Sequence, residues 1–385
     1  MSSLENRGRE MVFSVGLSPE RRKMTHQLSI YPLLDAEVIN SWMAGQNLYL
    51  EEPQFAMMLA QAGNLHYEIN PAHVIHRVNV IILALELEEA KPSRSPKGDI
   101  ELADWDLSLR RLNRAAHNPA MYSQGTAMND LLNPTMEHIS RRSPNANPTL
   151  AIALHEQVQD IGIPSAPTQV NNNSLSMELG LRARNVLFAM KVSFVNTVSS
   201  LAIKYNYPTN EVLQIAGLDP RILNFHLTLG IGFGGPNFKR DLDYLSYLAK
   251  QQGCQPQAQF FNQINVLNST RMVEVATWIK EGMVAIRGRV IVVLGVSYKN
   301  GTGDIKESQA IEICKLLLKQ GAILRLFDPN AQKGAVRLAL GARMGNQINW
   351  FQNFNEAVCN LYIIWGIHRQ NNCMGMLTNR CVEIF

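Results

Sequence analysis

Gly230-Ile231-Gly232-Phe233-Gly234-Gly235-Pro236-Asn237-Phe238-Lys239-Arg240-Asp241 is the stretch on which the reading of this chain turns. Glycine at this density lets the backbone turn sharply and approach a ligand closely. The charged run Lys239-Arg240-Asp241 follows. Beyond it, Leu242, Tyr244, Leu245, Tyr247 and Leu248 recur at helical spacing and predict a helix. A glycine-rich loop that opens a helix, with cations at its mouth, is a natural site for an anion. The same residues could also form an ordinary surface loop, so the pattern needs support from elsewhere in the chain.

That support lies on both sides of the loop. From Met177 to Tyr207 the apolar residues Leu179, Val186, Phe188, Met190, Phe194, Val195, Val198 and Leu201 predict one long helix. It also carries Glu178, Asn185, Lys191, Ser193 and Asn196. Glu211-Val212 and Gly217-Leu218-Asp219-Pro220-Arg221-Ile222 lead toward the loop. After it, Arg289-Val290-Ile291-Val292-Val293-Leu294-Gly295 predicts a buried strand, followed by Val296-Ser297-Tyr298-Lys299-Asn300-Gly301-Thr302-Gly303-Asp304-Ile305-Lys306-Glu307-Ser308. Two lysines and a serine leading into a helix at the carboxyl end of a strand suit a negatively charged nucleotide. Ala310 to Gln320 predicts an amphipathic helix closed by Gly321. Ile323 to Pro329 and Leu361 to Trp365 predict further strands.

Read together, these segments resemble the nucleotide-sugar 6-dehydrogenases, the family of UDP-glucose, UDP-N-acetylmannosamine and GDP-mannose dehydrogenases. The resemblance is specific from 174 to 330 and faint before that. It implies an α/β fold: two Rossmann-like α/β domains joined by a central long-helix domain, with the ligand between them. The expected boundaries are 1–165 for a dinucleotide-binding domain, 174–285 for the helical, dimer-forming domain with the loop, and 286–385 for a nucleotide-sugar-binding domain. The family reaction takes a primary alcohol to a carboxylate with two hydride transfers to NAD, through an adduct on a cysteine.

The resemblance also implies site residues. Asn237 stands at the nucleophile position, with Asn185 and Asp241 as its catalytic neighbours. Arg221, Phe233, Gly234, Gly235 and Lys299 stand at substrate positions, Arg221 toward the substrate of a neighbouring subunit. Gly16, Ser18, Thr126 and Lys306 stand at cofactor positions.

Departures from the family pattern are equally specific. Asparagine at 237 replaces the cysteine, and Leu181 replaces the catalytic lysine. No glutamate stands near Pro164-Ser165-Ala166-Pro167. Arg182 and Arg184 flank Leu181 but point away from it around the helix, by about 100° per residue. The first strand, Met11 to Gly16, leads into Leu17-Ser18-Pro19-Glu20-Arg21, where a dinucleotide fold wants further glycines for the pyrophosphate. Lys306 offers a point charge where the family has the fork of an arginine. The leading expectation is therefore a nucleotide-sugar dehydrogenase homologue that is catalytically impaired and keeps at most nucleotide-sugar binding. Two alternatives stay open: an oxidoreductase performing a single alcohol-to-aldehyde step, and a non-catalytic partner subunit of an active dehydrogenase.

Composition bounds the rest. The chain has 385 residues, enough for two or three domains. Its net charge of +4 is too balanced to argue for nucleic acid, and no basic run interleaves with aromatics. The five cysteines form no CxxC pair, which argues against a zinc site or a disulfide framework and for a reducing, cytoplasmic setting. No metal site is expected. No membrane span and no signal-peptide core are apparent, and a homodimer through the long helix follows from the resemblance.

Overall fold

The computed structural model describes residues 125–133, 174–222, 227–283, 285–341 and 346–358, together with the isolated strands at 11–16, 27–32, 65–67, 80–84, 116–117, 137–141, 168–171 and 364–366. The chain divides into two compact units, Met1–Glu178 and Leu179–Phe385. The segments expected as separate central and C-terminal domains thus lie in one unit.

In the first unit, β1 (Met11–Gly16), β2 (Gln27–Pro32), β3 (Leu65–Tyr67) and β4 (Val80–Ala84) form a sheet in the order β3-β2-β1-β4. This is the strand order of one half of a doubly wound fold. The direction of β1 differs from that fold: β1 runs antiparallel to both β2 and β4, while β2 and β3 are parallel. Chain length accounts for the β1–β2 pairing. Residues 17–26 are fewer than the dozen or so that a parallel crossover takes. A second, smaller sheet joins β5 (Ala116–His117), β6 (Glu137–Arg141) and β7 (Thr168–Asn171). The helix α1 (Ala127–Leu132) lies between β5 and β6 in sequence.

The second unit begins within α2 (Ser174–Lys204), the predicted long helix. It ends in a hydrogen-bonded cap: Asn206, at φ 56°, takes the left-handed position usually given to glycine, and the N–H groups of Asn206 and Tyr207 donate to Ile203 and Ala202. Then come α3 (Thr209–Gly217), α4 (Phe238–Gln251) and α5 (Gln255–Glu281). The helix α5 opens with Pro256 in its first turn, where a missing N–H costs nothing.

The C-terminal sheet follows the sequence reading. Its strands β8 (Val290–Leu294), β9 (Ile323–Phe327), β10 (Ile348–Trp350) and β11 (Ile364–Gly366) are all parallel, in the order β10-β9-β8-β11. Ile291, Val292 and Val293 are all buried, as expected for a strand covered on both faces. The helices α6 (Gln309–Lys319), α7 (Lys333–Leu340) and α8 (Phe354–Val358) complete it. Val275, Ala276 and Ile279 of α5 share one core with this sheet and with Ile313, Leu317 and Leu324. That shared core is why the central and C-terminal segments are one unit. A second core forms where Val186 and Ala189 of α2 meet Phe233, Leu242, Leu245 and Ile264.

Ser176–Lys204 is long and apolar enough to meet the length and composition of a membrane span. Its buried face nevertheless carries Arg182, Ser193, Asn196 and Ser199, a polar content that suits a protein core with partners better than a lipid environment.

Candidate functional site

The site is built around Asp241 in the first turn of α4. Its carboxylate is fully buried, at 0% exposure, so it must find donors within the protein. Two come from α2. Arg182 donates from Nη1 to Oδ1 at 2.8 Å, and Asn185 donates from Nδ2 to Oδ2 at 2.7 Å. Arg240 adds a bond from Nε to Oδ1 at 3.2 Å. The guanidinium of Arg182 also lies 4.2 Å from the ring centroid of Tyr244, one turn along α4. Arg184 stands nearby. Burial pulls its guanidinium below the ordinary range, and the charge of Asp241 opposes that shift.

The glycine loop is held by α2 and α5. Gly230 donates to Asn196 Oδ1 at 3.0 Å and accepts from Arg271 Nε at 2.9 Å. Arg271 is itself buried, bonded to Ser200 and Glu274 and stacked over Trp278. Phe233 donates to Asn268 Oδ1 at 2.8 Å and accepts from Asn268 Nδ2 at 3.0 Å. The loop then meets the segment after β8. Gly235 donates to the carbonyl of Lys306 at 3.0 Å. A Cβ on Gly234 would lie 2.5 Å from the carbonyl oxygen of Glu307, and one on Gly235 would lie 2.6 Å from the ring of Tyr298. Both glycines are required by close approach of the chain to itself.

The lysine-bearing segment is tied down by Asp328 at the end of β9. Its Oδ2 accepts from Val296 N, Ser297 N and Ser297 Oγ at 2.8, 3.0 and 2.8 Å. Its Oδ1 accepts from Asn330 N and Ala331 N at 2.9 and 2.8 Å. Ser308 caps α6 and donates to the carbonyl of Val296 at 2.7 Å. Lys299 lies over Tyr298, and Lys306 is exposed. Glu307, between Lys306 and Ser308, has φ 51°, an uncommon conformation for a residue with a side chain.

The predicted site residues therefore fall into distinct groups. Asn237, Asn185 and Asp241 come together at the head of α4. Asn237 is the N-cap residue of α4, is exposed and makes no side-chain cap bond; its carbonyl accepts from Asp241 N at 2.9 Å. Gly234, Gly235, Lys299 and Lys306 gather around the turn at 298–307. Phe233 places its ring in the core, edge-on to Phe238, and both its backbone groups on Asn268. Arg221 sits outside this cluster. Its side chain is 87% exposed and forks onto its own neighbour Asp219, which holds that carboxyl below its usual range.

Thr126 stands at the N-cap position of α1, where its hydroxyl donates to the Asp130 carboxylate and not to the helix backbone, and Ser18 lies outside the described residues. Gly16 ends β1, opposite Gln27 at the start of β2. Dinucleotides bind at the carboxyl ends of parallel strands. The reversed β1 takes Gly16 to the other edge, so this strand end does not fit a pyrophosphate. Among the described residues no cluster of histidine, cysteine, aspartate or glutamate could hold a metal ion.

Arg182, Asn268 and Arg271 were not read as site residues from the sequence. Arg182 carried a usable signal: it points away from Leu181 but stands three residues before Asn185, on the same helical face. Asn268 and Arg271 carried none, because only folding brings α5 to the loop.

A parallel sheet with Lys299 and Lys306 on the turn after β8, joined through one core to helices that hold a glycine loop, is the architecture of the nucleotide-sugar dehydrogenase class. Residues 176–270 match the UDP-glucose/GDP-mannose dehydrogenase family, central domain, and residues 292–371 match its UDP-binding domain. The chain belongs to the UDP-glucose/GDP-mannose dehydrogenase family. It is 30% identical over 223 residues to UDP-glucose 6-dehydrogenase 1 of Arabidopsis thaliana, covering 57% of this chain and 46% of that protein. It is 30% identical over 217 residues to the Drosophila melanogaster UDP-glucose 6-dehydrogenase, covering 56% and 45%. The chain thus spans about half the length of the curated relatives it matches. The fold is also that of a UDP-glucose dehydrogenase from Pyrobaculum islandicum, with a TM-score of 0.70 at 20% identity over 87% of this chain and 82% of that one.

Proposed function

We propose that this protein binds a nucleotide sugar and does not carry out the cysteine-dependent oxidation of its family. The observation that carries the reading is the head of α4. The loop and its supports are intact, yet the residue it presents is Asn237, whose carboxamide cannot form the covalent sulfur adduct that the second oxidation needs. Asp241 is bonded through both oxygens to Arg182, Asn185 and Arg240. The carboxylate is thereby committed to holding the helices together. Lys299 and Lys306, carried beside the loop by the turn at 298–307, suit the diphosphate of the ligand as point charges. The reversed β1 supports the same reading from the other half, since Gly16 is not at the edge where NAD would lie. The protein acts in the cytoplasm in this reading.

The same reading includes a homodimer through α2. Leu179, Leu187, Phe194 and Leu201 are exposed at seven- to eight-residue spacing, which puts them on one face of the helix. A stripe of this kind marks an interaction surface. It equally favours a second reading, pairing with a catalytically complete relative through the same face.

A thermal-shift titration with UDP-sugars, GDP-sugars, NAD and NADH tests the proposal. A ligand that binds only the folded state raises the melting temperature as RT ln(1 + [L]/Kd). A sugar nucleotide is expected to raise it, NAD is not, and the two together are expected to yield no NADH. Production of NADH and a uronate from a UDP-sugar would overturn the proposal.

A further inference from the structure

We propose that Arg182 is the positioning residue for the sugar end of the ligand, acting through Asp241; this rests on the nucleotide-sugar reading above. Arg182 is 8% exposed, and its guanidinium is held on two sides. It bonds to Asp241 Oδ1 at 2.8 Å and stacks on Tyr244 at 4.2 Å. Asn185, one turn on along α2, takes the other oxygen of the same carboxylate. A carboxylate only accepts, so the Asn185 amide must turn its NH₂ toward it. The two donors therefore fix the plane of the Asp241 carboxylate. Asp241 in turn donates its backbone N–H to the carbonyl of Asn237. The chain of contacts runs from α2 through Asp241 to the exposed Asn237 at the mouth of α4.

The position of the charge matters. At 181 the chain has leucine, which donates nothing; Arg182, about 100° further around the helix, is the cation of α2 that faces Asp241. From there it reaches the carboxylate directly. Arginine suits that place better than lysine because its planar fork can bond and stack at once. Arg182 does not touch the ligand in this arrangement. It sets where Asn237 and the first turn of α4 stand when the sugar arrives, while the nucleotide is gripped separately around 298–307.

Calorimetric titration of UDP and of UDP-glucose into the full chain tests this, with Arg182→Met, Arg182→Lys and Tyr244→Leu as variants. In the wild-type protein UDP-glucose is expected to bind more tightly than UDP. Arg182→Met is expected to weaken UDP-glucose roughly tenfold and leave UDP within about twofold, since it removes one charge-assisted bond at the sugar end only. Arg182→Lys keeps the charge without the fork and should recover part of the loss. A general loss of structure would weaken both ligands together. If Arg182→Met does not fold, Arg182→Lys and Tyr244→Leu carry the test, each expected to weaken UDP-glucose about threefold with UDP unchanged. If UDP-glucose binds the wild type and these variants leave its advantage over UDP intact, the assignment of Arg182 is overturned and the binding reading stands. If the wild type binds neither nucleotide, the binding reading fails and the assignment falls with it.

Discussion

Replacing Asp328 by asparagine is expected to destabilise the C-terminal unit more than its isosteric size suggests. The carboxylate accepts from Val296 N, Ser297 N and Ser297 Oγ on one oxygen, and from Asn330 N and Ala331 N on the other. An asparagine must turn its NH₂ toward one of these sets. Facing it toward Asn330 and Ala331 does least harm, but it still loses two bonds and sets donors against donors. At about 1.5–3 kcal/mol for each bond to a charged group, the cost is about 3–6 kcal/mol. For a unit of this size that corresponds to a fall in melting temperature of roughly 10 °C.

The acid limb supplies a second signature. Burial alone would raise the Asp328 carboxyl, but the N–H donors of Val296, Ala331 and Asn330 and the Ser297 hydroxyl outweigh it and hold it below its ordinary value. A carboxyl depressed in the folded state contributes stability that is complete above the unfolded value, about 3.9, and is lost as pH falls through the folded one. The wild type should therefore lose stability through this acid range, and Asp328→Asn should show a shallower slope there. Urea denaturation followed by far-UV circular dichroism at neutral and acid pH measures both effects. A variant within about 0.5 kcal/mol of wild type, or with an unchanged acid limb, would refute the argument that these donors depend on the charge.

Other expectations follow from the same contacts. Gly234→Ala places a methyl 2.5 Å from the Glu307 carbonyl oxygen, a backbone atom that cannot swing aside; it should cost about 1–3 kcal/mol, read as a lowered melting temperature. Phe194→Glu puts a charge in the exposed stripe of α2 proposed above as the dimer face, where Phe194 is 60% exposed; light scattering should find a dimer for the wild type and a monomer for the variant. Burial pushes the Cys314 thiol up to about 12, so it stays protonated at pH 8. Peptide mapping after brief alkylation of the native protein should find Cys254, which is partly exposed, labelled and Cys314 unlabelled until the protein unfolds.

Much of the second unit was legible in the sequence because its signals are local. A continuous apolar run predicts β8, a serine and a glycine bracket α6, and one helical period runs the length of α2. The loop was equally visible, since glycines at that density need a reason. What the glycines were for was less legible. A ligand-facing role and close packing of chain on chain predict the same residues, and only the neighbours Tyr298 and Glu307 show that packing accounts for Gly234 and Gly235. Phe233 reads as a ligand contact by its place in a motif and becomes a core residue by its contacts.

The sequence by itself determined the class of fold, the family, and the replacement of a cysteine by Asn237 and of a lysine by Leu181, because residue identities and short-range periodicities survive in one dimension. Tertiary structure alone decided three things. It joined the central helices and the C-terminal sheet into one unit through a shared core. It set the direction of β1 and hence the place of Gly16. It brought Arg182 and Asn185 onto Asp241, more than fifty residues away in sequence. The physical reason is common to all three: burial and hydrogen-bond completion act on distance in space, and the chain carries no local mark of which buried charge a distant donor will meet.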